Sequence, residues 1–252
     1  MKIRAHSDLH VDRGLNEGYI PDLSGIETYI IAGDLGQHKV AQNFIRTILE
    51  KYPSIDIVHV LGNHEYYDAY LEKVHLLFSK LSDEYEKYHY LQNDSVVIQG
   101  IKFIGATLWT SLNNNDPLEL HDARYGLNDF KYIRYKNGVL KFTPEYSTKL
   151  HRESKEYIFK TLEESEELCV VVTHHKPFVT NTGYLSSAFE TELRGDLVDN
   201  SNPPKVWISG HDHKRHDIIF DCNGKEVRFI SNPKGYPHEK NTGFEENLII
   251  EL

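Results

Sequence analysis

Read for the spacing of its apolar positions, the chain alternates short apolar runs with longer amphipathic stretches. Runs of strand length occur at KIRAH (2–6), TYIIA (28–32), IDIVHVL (55–61), SVVIQ (95–99), KFIGA (102–106), LCVVVT (168–173), KVWIS (205–209), DIIFDC (217–222), VRFIS (227–231) and LIIEL (248–252). Most are rich in Val and Ile and bounded by Gly, Asn, Asp or Pro, the composition of buried strands between turns. Between some of them the period changes to that of a helix. QHKVAQNFIRTILEKY puts Val40, Phe44, Ile45, Ile48 and Leu49 on one face, and AYLEKVHLLFSKLSDEYEK does the same with Leu71, Val74, Leu77, Phe78 and Leu81. TPEYSTKLHRESKEYIFKTLEE opens on Thr143 as N-cap with Pro144 at the first helical position. Strands alternating with helices in the first half predict right-handed βαβ units and a largely parallel sheet. The late hairpin IIFDCNGKEVRFI, turning at Asn223-Gly224, predicts an antiparallel addition. The expected fold is a single α/β domain over residues 1–252 with two packed sheets flanked by helices.

Two segments break the pattern. Residues 107–142 and 176–204 are rich in Asn, Asp, Pro and aromatics with weak periodicity, and loops this long in a compact domain are usually functional or disordered. Trp109, Tyr125, Phe130 and Tyr132 argue against disorder, so these segments are expected to shape a pocket.

Composition narrows the classes. No run of ten uninterrupted apolar residues exists, so no membrane-spanning helix is expected, and 39% hydrophobic with 26% charged residues argues for a folded core. The start MKIRAHSDLH lacks a secretory signal pattern, and Cys169 and Cys222 sit inside strand-like runs, so a reducing cytoplasm is expected. A net charge of −10 disfavours a bulk grip on nucleic acid, because duplex affinity rests on many Lys and Arg contacts to phosphate. Bound metals would weaken that objection. Fifteen histidines against one methionine direct the search to ligands.

Five apolar runs end in such residues. KIRA is followed by Asp8 and His10, TYIIA by Gly33-Asp34, IVHVL by Gly62-Asn63-His64-Glu65, LCVVVT by His174-His175, and KVWIS by Gly210-His211-Asp212-His213. Singly each is weak: Asp-x-His is often a surface pair and Gly-Asp a turn. Together, at strand ends, they point to one crevice outside the carboxyl ends of the strands, where α/β sheets bind ligands. Imidazole, carboxylate and amide oxygen without thiolate suit Mn(II), iron, Zn or Ni. Seven such ligands are too many for one ion with open positions, so two are implied. Two divalent ions less two aspartates leave net positive charge for a phosphate dianion and hydroxide. A pair about 3.5–4 Å apart acidifies a bridging water.

With these motifs in view, the chain resembles the calcineurin-like metallophosphoesterases, whose pattern is Asp-x-His, Gly-Asp, Gly-Asn-His-Glu/Asp, a lone His and Gly-His-x-His, here over residues 8–213. The resemblance implies a four-layer α-β-β-α sandwich of two mixed sheets. It implies Asp8, His10 and His213 on one metal, Asn63, His174 and His211 on the other, and Asp34 bridging. It implies His64 as the unligated proton donor to the leaving oxygen, and in-line hydrolysis by metal-bridged hydroxide, with Mn(II) the favoured ion. SNPKGYPHE (231–239) and GLNDFKYIR also look like features of uncharacterised bacterial phosphohydrolases in this superfamily.

The departures shape the substrate. GDLGQHK lacks the Asp-Arg-Gly of protein Ser/Thr phosphatases, Gln37 replaces the purple acid phosphatase Tyr, and Gly-Asn-His replaces the Gly-Asn-Arg of enzymes cleaving the lipid A precursor. Small phosphate monoesters or diesters remain as substrates, with a cyclic-nucleotide phosphodiesterase or nuclease on the same core as the alternative. A non-catalytic scaffold is the competing class, and such members lose ligands that this chain keeps. Substrate contacts are expected from Trp109, Tyr125 and Asn128 in the loops, and from His175 and Arg215 beside the ligands, although His175 also reads as an ordinary loop histidine and Arg215 as part of a surface basic patch. Asp12 and Asp212 could orient ligand histidines or be solvated loop acids. His6 and His59, inside strands, are expected to be packed and hydrogen-bonded.

Overall fold

The computed structural model describes all 252 residues. In chain order the strands are β1 (Lys2–His6), β2 (Thr28–Ala32), β3 (Asp56–Val60), β4 (Tyr88–Tyr90), β5 (Asp94–Ile98), β6 (Ile101–Ala106), β7 (Arg134–Tyr135), β8 (Leu140–Lys141), β9 (Leu168–Thr173), β10 (Val206–Ser209), β11 (His216–Cys222), β12 (Lys225–Ser231) and β13 (Ile250–Glu251). The helices are α1 (His38–Lys51), α2 (Leu71–Glu84), α3 (Leu112–Asn115), α4 (Pro117–Gly126), α5 (Asp129–Tyr132), α6 (Pro144–Glu164) and α7 (Arg194–Asp199).

One sheet runs β13-β1-β2-β3-β4, parallel except for β13; the other runs β11-β12-β10-β9-β6-β5, with β11 and β5 as antiparallel edges on a parallel centre. Strand alternation sorts the side chains into layers. Ile30, Ala32, Val58 and Val60 of the first sheet meet Val170, Val172, Val206 and Ile208 of the second between the sheets. Their neighbours turn outward: Tyr29, Ile31 and Ile57 pack with Ile45, Ile48 and Val74 of α1 and α2, and Val171, Trp207 and Phe229 pack with Ile158, Leu162 and Leu197 of α6 and α7. Burial on both faces explains why the central strands read as continuous apolar runs. Each large side chain so buried is worth roughly 1.5–3 kcal/mol relative to exposure. The result is the four-layer arrangement expected, helices outside two mixed sheets.

α6 begins as its sequence predicts, with the Thr143 hydroxyl accepting from the Tyr146 N–H at 3.2 Å and Pro144 in the first turn. Two local expectations shift, and one strand is new. In α1 the inner face uses Ala41, and Val40 is left 36% exposed. The tyrosine-rich stretch after α2 forms β4, the edge of the first sheet, because Tyr88 and Tyr90 bury their rings beside His59 and Phe78. Residues 107–142 are not plain loop. They hold α3 to α5 and the β7–β8 hairpin, and the four residues of α3, Leu-Asn-Asn-Asn, make a left-handed turn with φ of 44, 51, 58 and 64°. Asn tolerates that region better than other side-chain-bearing residues, which accounts for the Asn run.

Candidate metal centre

β1, β2 and β3 of one sheet and β9 and β10 of the other end at the same rim, so their following residues converge. The chain turns sharply there. Asp8, His10, Asp34, His211 and His213 all have positive φ, at 51, 41, 53, 75 and 51°. Such strain in non-glycine residues persists where the surroundings over-determine it, and it concentrates at functional sites. The motif glycines make room: a Cβ on Gly62 would stand 2.1 Å from Asp34 Oδ1, and one on Gly33, itself at φ +81°, 2.4 Å from His174 Nδ1.

Two groups of donor atoms result. Those of Asp8, His10, Asp34 and His213 lie within 4.8 Å of one another, and so do those of Asp34, His174 and His211. Asp34 belongs to both, and its two oxygens divide between them: Oδ1 lies 3.5 Å from His174 Nε2 and Oδ2 3.9 Å from His10 Nε2. Asn63 Oδ1 joins the second group, 3.2 Å from His174 Nε2.

The hydrogen-bond partners test whether these atoms fit cations. His174 Nδ1 meets the Ala32 carbonyl at 3.0 Å, and a carbonyl only accepts, so Nδ1 carries the proton and Nε2 presents a lone pair. Asn63 Nδ2 donates to Asp129 Oδ1 at 2.8 Å and to the Tyr67 hydroxyl at 3.1 Å, which leaves Oδ1 facing that lone pair. His213 Nδ1 lies 2.6 Å from Glu239 Oε2, which turns Nε2 toward Asp8 Oδ1 at 3.4 Å and His10 Nε2 at 3.1 Å. Lone pairs facing lone pairs, with the outer ring nitrogens of His174 and His213 held by acceptors, is the arrangement of metal ligands. The site fits two cations.

Without cations the cluster gathers protons in their place. Burial and the charge of Asp8 push the Asp34 carboxyl well above the usual carboxylate range. Burial would raise Asp8 too, but the hydrogen bond and charge of His213 hold it well below. Burial opposes protonation of His213, and Asp8 with Glu239 outweighs it, drawing that ring up to about 9. The cluster's buried negative charge calls for protons or metal cations.

The model of the calcineurin-like phosphoesterase family matches residues 1–215, a span that contains all five strand ends. The chain belongs to that family. It is similar to an uncharacterised protein, L509, of Acanthamoeba polyphaga mimivirus, 26% identical over 268 residues covering 95% of this chain and 92% of that one. Among solved structures it is similar to a dimetal phosphatase from Danio rerio, with 12% identity, 91% and 86% of the two chains covered and a TM-score of 0.48. It is also similar to the Thermus thermophilus sulfate thiohydrolase SoxB, with 12% identity, 82% of this chain and 34% of that one covered and a TM-score of 0.40.

In this family member the residues that steady the site differ from those the sequence suggested. Asp12 accepts from the Gln37 N–H at 3.2 Å, and Asp212 pairs with His216 Nε2 at 3.0 Å and with Lys176; neither orients a ligand ring. Glu239 orients His213, and Asp129 with Tyr67 orients Asn63. Glu65, fully buried, accepts from the N–H groups of Leu35 at 2.6 Å and Gly62 at 2.8 Å and so ties two ligand turns together. Lys176, also fully buried, joins Glu190 at 2.7 Å and Asp212, linking the 176–204 segment to the turn bearing His211 and His213. Glu65 stands in the Gly62-Asn63-His64-Glu65 motif; the pairings of Asp129, Glu239 and Lys176 reach across distant segments, and only the acidic residues inside GLNDF and SNPKGYPHE gave any signal of them.

A cavity of about 310 Å³ opens over the donor atoms, lined by Asn128, Asp129, Phe189 and Tyr236 beside Asp34 and His64. His64 Nε2 meets the Tyr236 hydroxyl at 2.9 Å and lies 3.8 Å from Asp34 Oδ2, while burial, then His174, pulls its ring down to about 3. Of the expected substrate residues, Asn128 lines this cavity. Trp109 does not; it is buried against Phe142, Tyr66 and His175 as part of the core. His175 is buried behind the site, its Nδ1 3.2 Å from the Thr107 carbonyl and its ring 4.2 Å from that of His211. Tyr125 is 67% exposed beside His121, and Arg215 is spent on Glu245 at 3.1 Å. His6 and His59 are packed as expected, bonded to the hydroxyls of Tyr29 at 3.1 Å and Tyr88 at 2.8 Å. No helix is long and apolar enough to cross a membrane.

Proposed function

We propose that the protein hydrolyses a small phosphate monoester or diester, using two divalent transition-metal ions, with Mn(II) as the activating ion. Asp8, His10 and His213 would hold one ion, Asn63, His174 and His211 the other, and Asp34 would serve both. The observation that carries this reading is the division of the Asp34 carboxylate between two donor groups. When bound, the ions supply positive charge for phosphoryl oxygens and acidify water.

The chain's own part is positioning and proton handling. Water attacks phosphorus opposite the leaving oxygen and releases a proton to solvent, the bond from phosphorus to that oxygen breaks, and protonated His64 gives it a proton from Nε2, to be recharged from solvent after product leaves. The Tyr236 hydroxyl holds that nitrogen at 2.9 Å, and the leaving oxygen takes its place when substrate binds. An imidazole this buried is neutral alone; a phosphoryl dianion within reach favours its protonated form, so donation belongs to the substrate complex. Free buried Cys169 and Cys222 support a reducing, cytoplasmic setting.

The test is elemental analysis of protein purified without chelator, with turnover of para-nitrophenyl phosphate, its bis ester and cyclic nucleotides in Mn(II). Two ions per chain and turnover of at least one ester are expected. Asp34→Asn should lose both metal and rate; a full complement with wild-type rates in that variant sinks the assignment.

A further inference from the structure

The cavity over the donor atoms continues past His64, Tyr67, Asn128 and Tyr236 into a trench of about 660 Å³ that also meets Arg13, Tyr132 and His238. Rings make up half of its wall, with Gln37 and Asp68, bonded to each other at 3.1 Å, at its polar edge. Tyr236 stacks on His10 with centroids 4.3 Å apart at 23°, and His238 stacks on Tyr236 at 5.7 Å and 7°. On the other flank Tyr67 packs on His64 at 4.5 Å, and Tyr132 on Tyr67 at 5.7 Å. Two lines of aromatics therefore run outward from the donor atoms to Tyr132, 47% exposed, and to His238, also exposed. The opposite side of the site is different in kind. The cavity there is lined by Thr180, Asn181, Glu190, Asp212 and Lys214, with Phe189 its one hydrophobic residue.

We infer that this trench is the leaving-group subsite and that it takes a leaving group carrying a flat aromatic ring, an aryl or heteroaryl group rather than an alkyl chain or open polyol. The inference rests on the phosphoesterase reading, and its direction comes from His64. That residue lines the trench and is the assigned proton donor, so the oxygen it protonates and the group attached to it lie on the trench side. Each ring contact is worth roughly a two- to tenfold preference over an aliphatic group of the same size.

The test separates binding from turnover. Benzylphosphonate and cyclohexylmethylphosphonate have the same carbon skeleton, one flat and one puckered, with a methylene in place of the ester oxygen. Titrated calorimetrically into the Mn(II)-loaded protein, benzylphosphonate should bind at least fivefold more tightly. Tyr132→Ala and His238→Ala should each reduce that ratio, and together reduce it further, with Tyr67 and Tyr236 still in place. Equal affinities in the wild type, or a ratio untouched by both substitutions, overturn the subsite. In parallel, kcat/KM is compared for a phenyl ester and a polyfluoroalkyl ester whose leaving groups are equally acidic, so that acidity cannot produce the preference. Ring selectivity in binding with no hydrolysis of either ester would keep the subsite and remove the phosphoesterase reading. Hydrolysis of both without ring selectivity would do the reverse.

Discussion

The side-chain amide of Asn63 is held by Asp129, nitrogen to carboxylate at 2.8 Å, across 66 residues of sequence. Both are buried, and Tyr67 adds a second bond to the same Asp129 oxygen at 2.7 Å. An amide can turn either end toward a metal, but only its oxygen is a ligand. Asp129 decides which end is presented. Asp129→Ala should therefore weaken metal binding about 10- to 100-fold, the usual cost of losing a partner that orients a ligand. Metal titration checks it, and a thermal melt of the metal-free variant shows whether the fold survives. Unaltered metal affinity would show that Asn63 needs no such support.

Lys176 is the brace between a loop and the ligand turn. Removing its charge as Lys176→Met leaves buried Glu190 without a cation and half-buried Asp212 with only His216, which costs about 3–5 kcal/mol. Denaturant unfolding should show that loss, and metal affinity should fall with it because Asp212 lies between His211 and His213. Adding Glu190→Gln should return part of the stability by removing one orphaned charge.

If His64 protonates the leaving oxygen, His64→Ala keeps both ions yet loses roughly 10²- to 10⁴-fold in kcat. The loss should be smaller for para-nitrophenyl phosphate, whose leaving group departs without a proton, than for an alkyl ester. Equal losses on both, or a missing ion, would remove the acid role.

Stability against acid should depend on histidines remote from the site. Burial holds His59 at about 3, and His75 and His151 at about 4, against an ordinary 6.5. Below pH 6.5 the unfolded chain takes up these protons while the folded chain refuses them. Stability is therefore complete above that pH and falls as pH drops toward 4, by up to about 1.4 kcal/mol per pH unit for each proton. His59→Gln, which keeps an acceptor for the Tyr88 hydroxyl, should flatten the slope by one proton. Urea midpoints from pH 7 to 4.5 on metal-free protein measure it; parallel curves for variant and wild type would refute the claim.

How much of this was legible beforehand divides along physical lines. Local order was. Val- and Ile-rich runs buried on both faces could only be central strands, and Thr143-Pro144 could only open a helix. Asp8, His10, Asp34, Asn63, His64, His174, His211 and His213 were all visible because each directly follows an apolar run, and a parallel sheet delivers such positions to one rim. The residues of 107–142 were harder, since a left-handed Asn turn and two short helices have no long period to detect.

By itself, then, the sequence determined most of the strands and which donor residues stand at the strand ends, because those depend on spacing along one chain; the four layers followed from the family resemblance that the motifs carry. The tertiary structure decided how the donors are aimed. Asp129 on Asn63, Glu239 on His213, Lys176 between Glu190 and Asp212, and the rings of Tyr132 and His238 beside His64 are pairings across tens to hundreds of residues. Side-chain direction at such sites is set by hydrogen-bond geometry and close packing between segments. No periodicity records that, and it exists only once the two sheets have met.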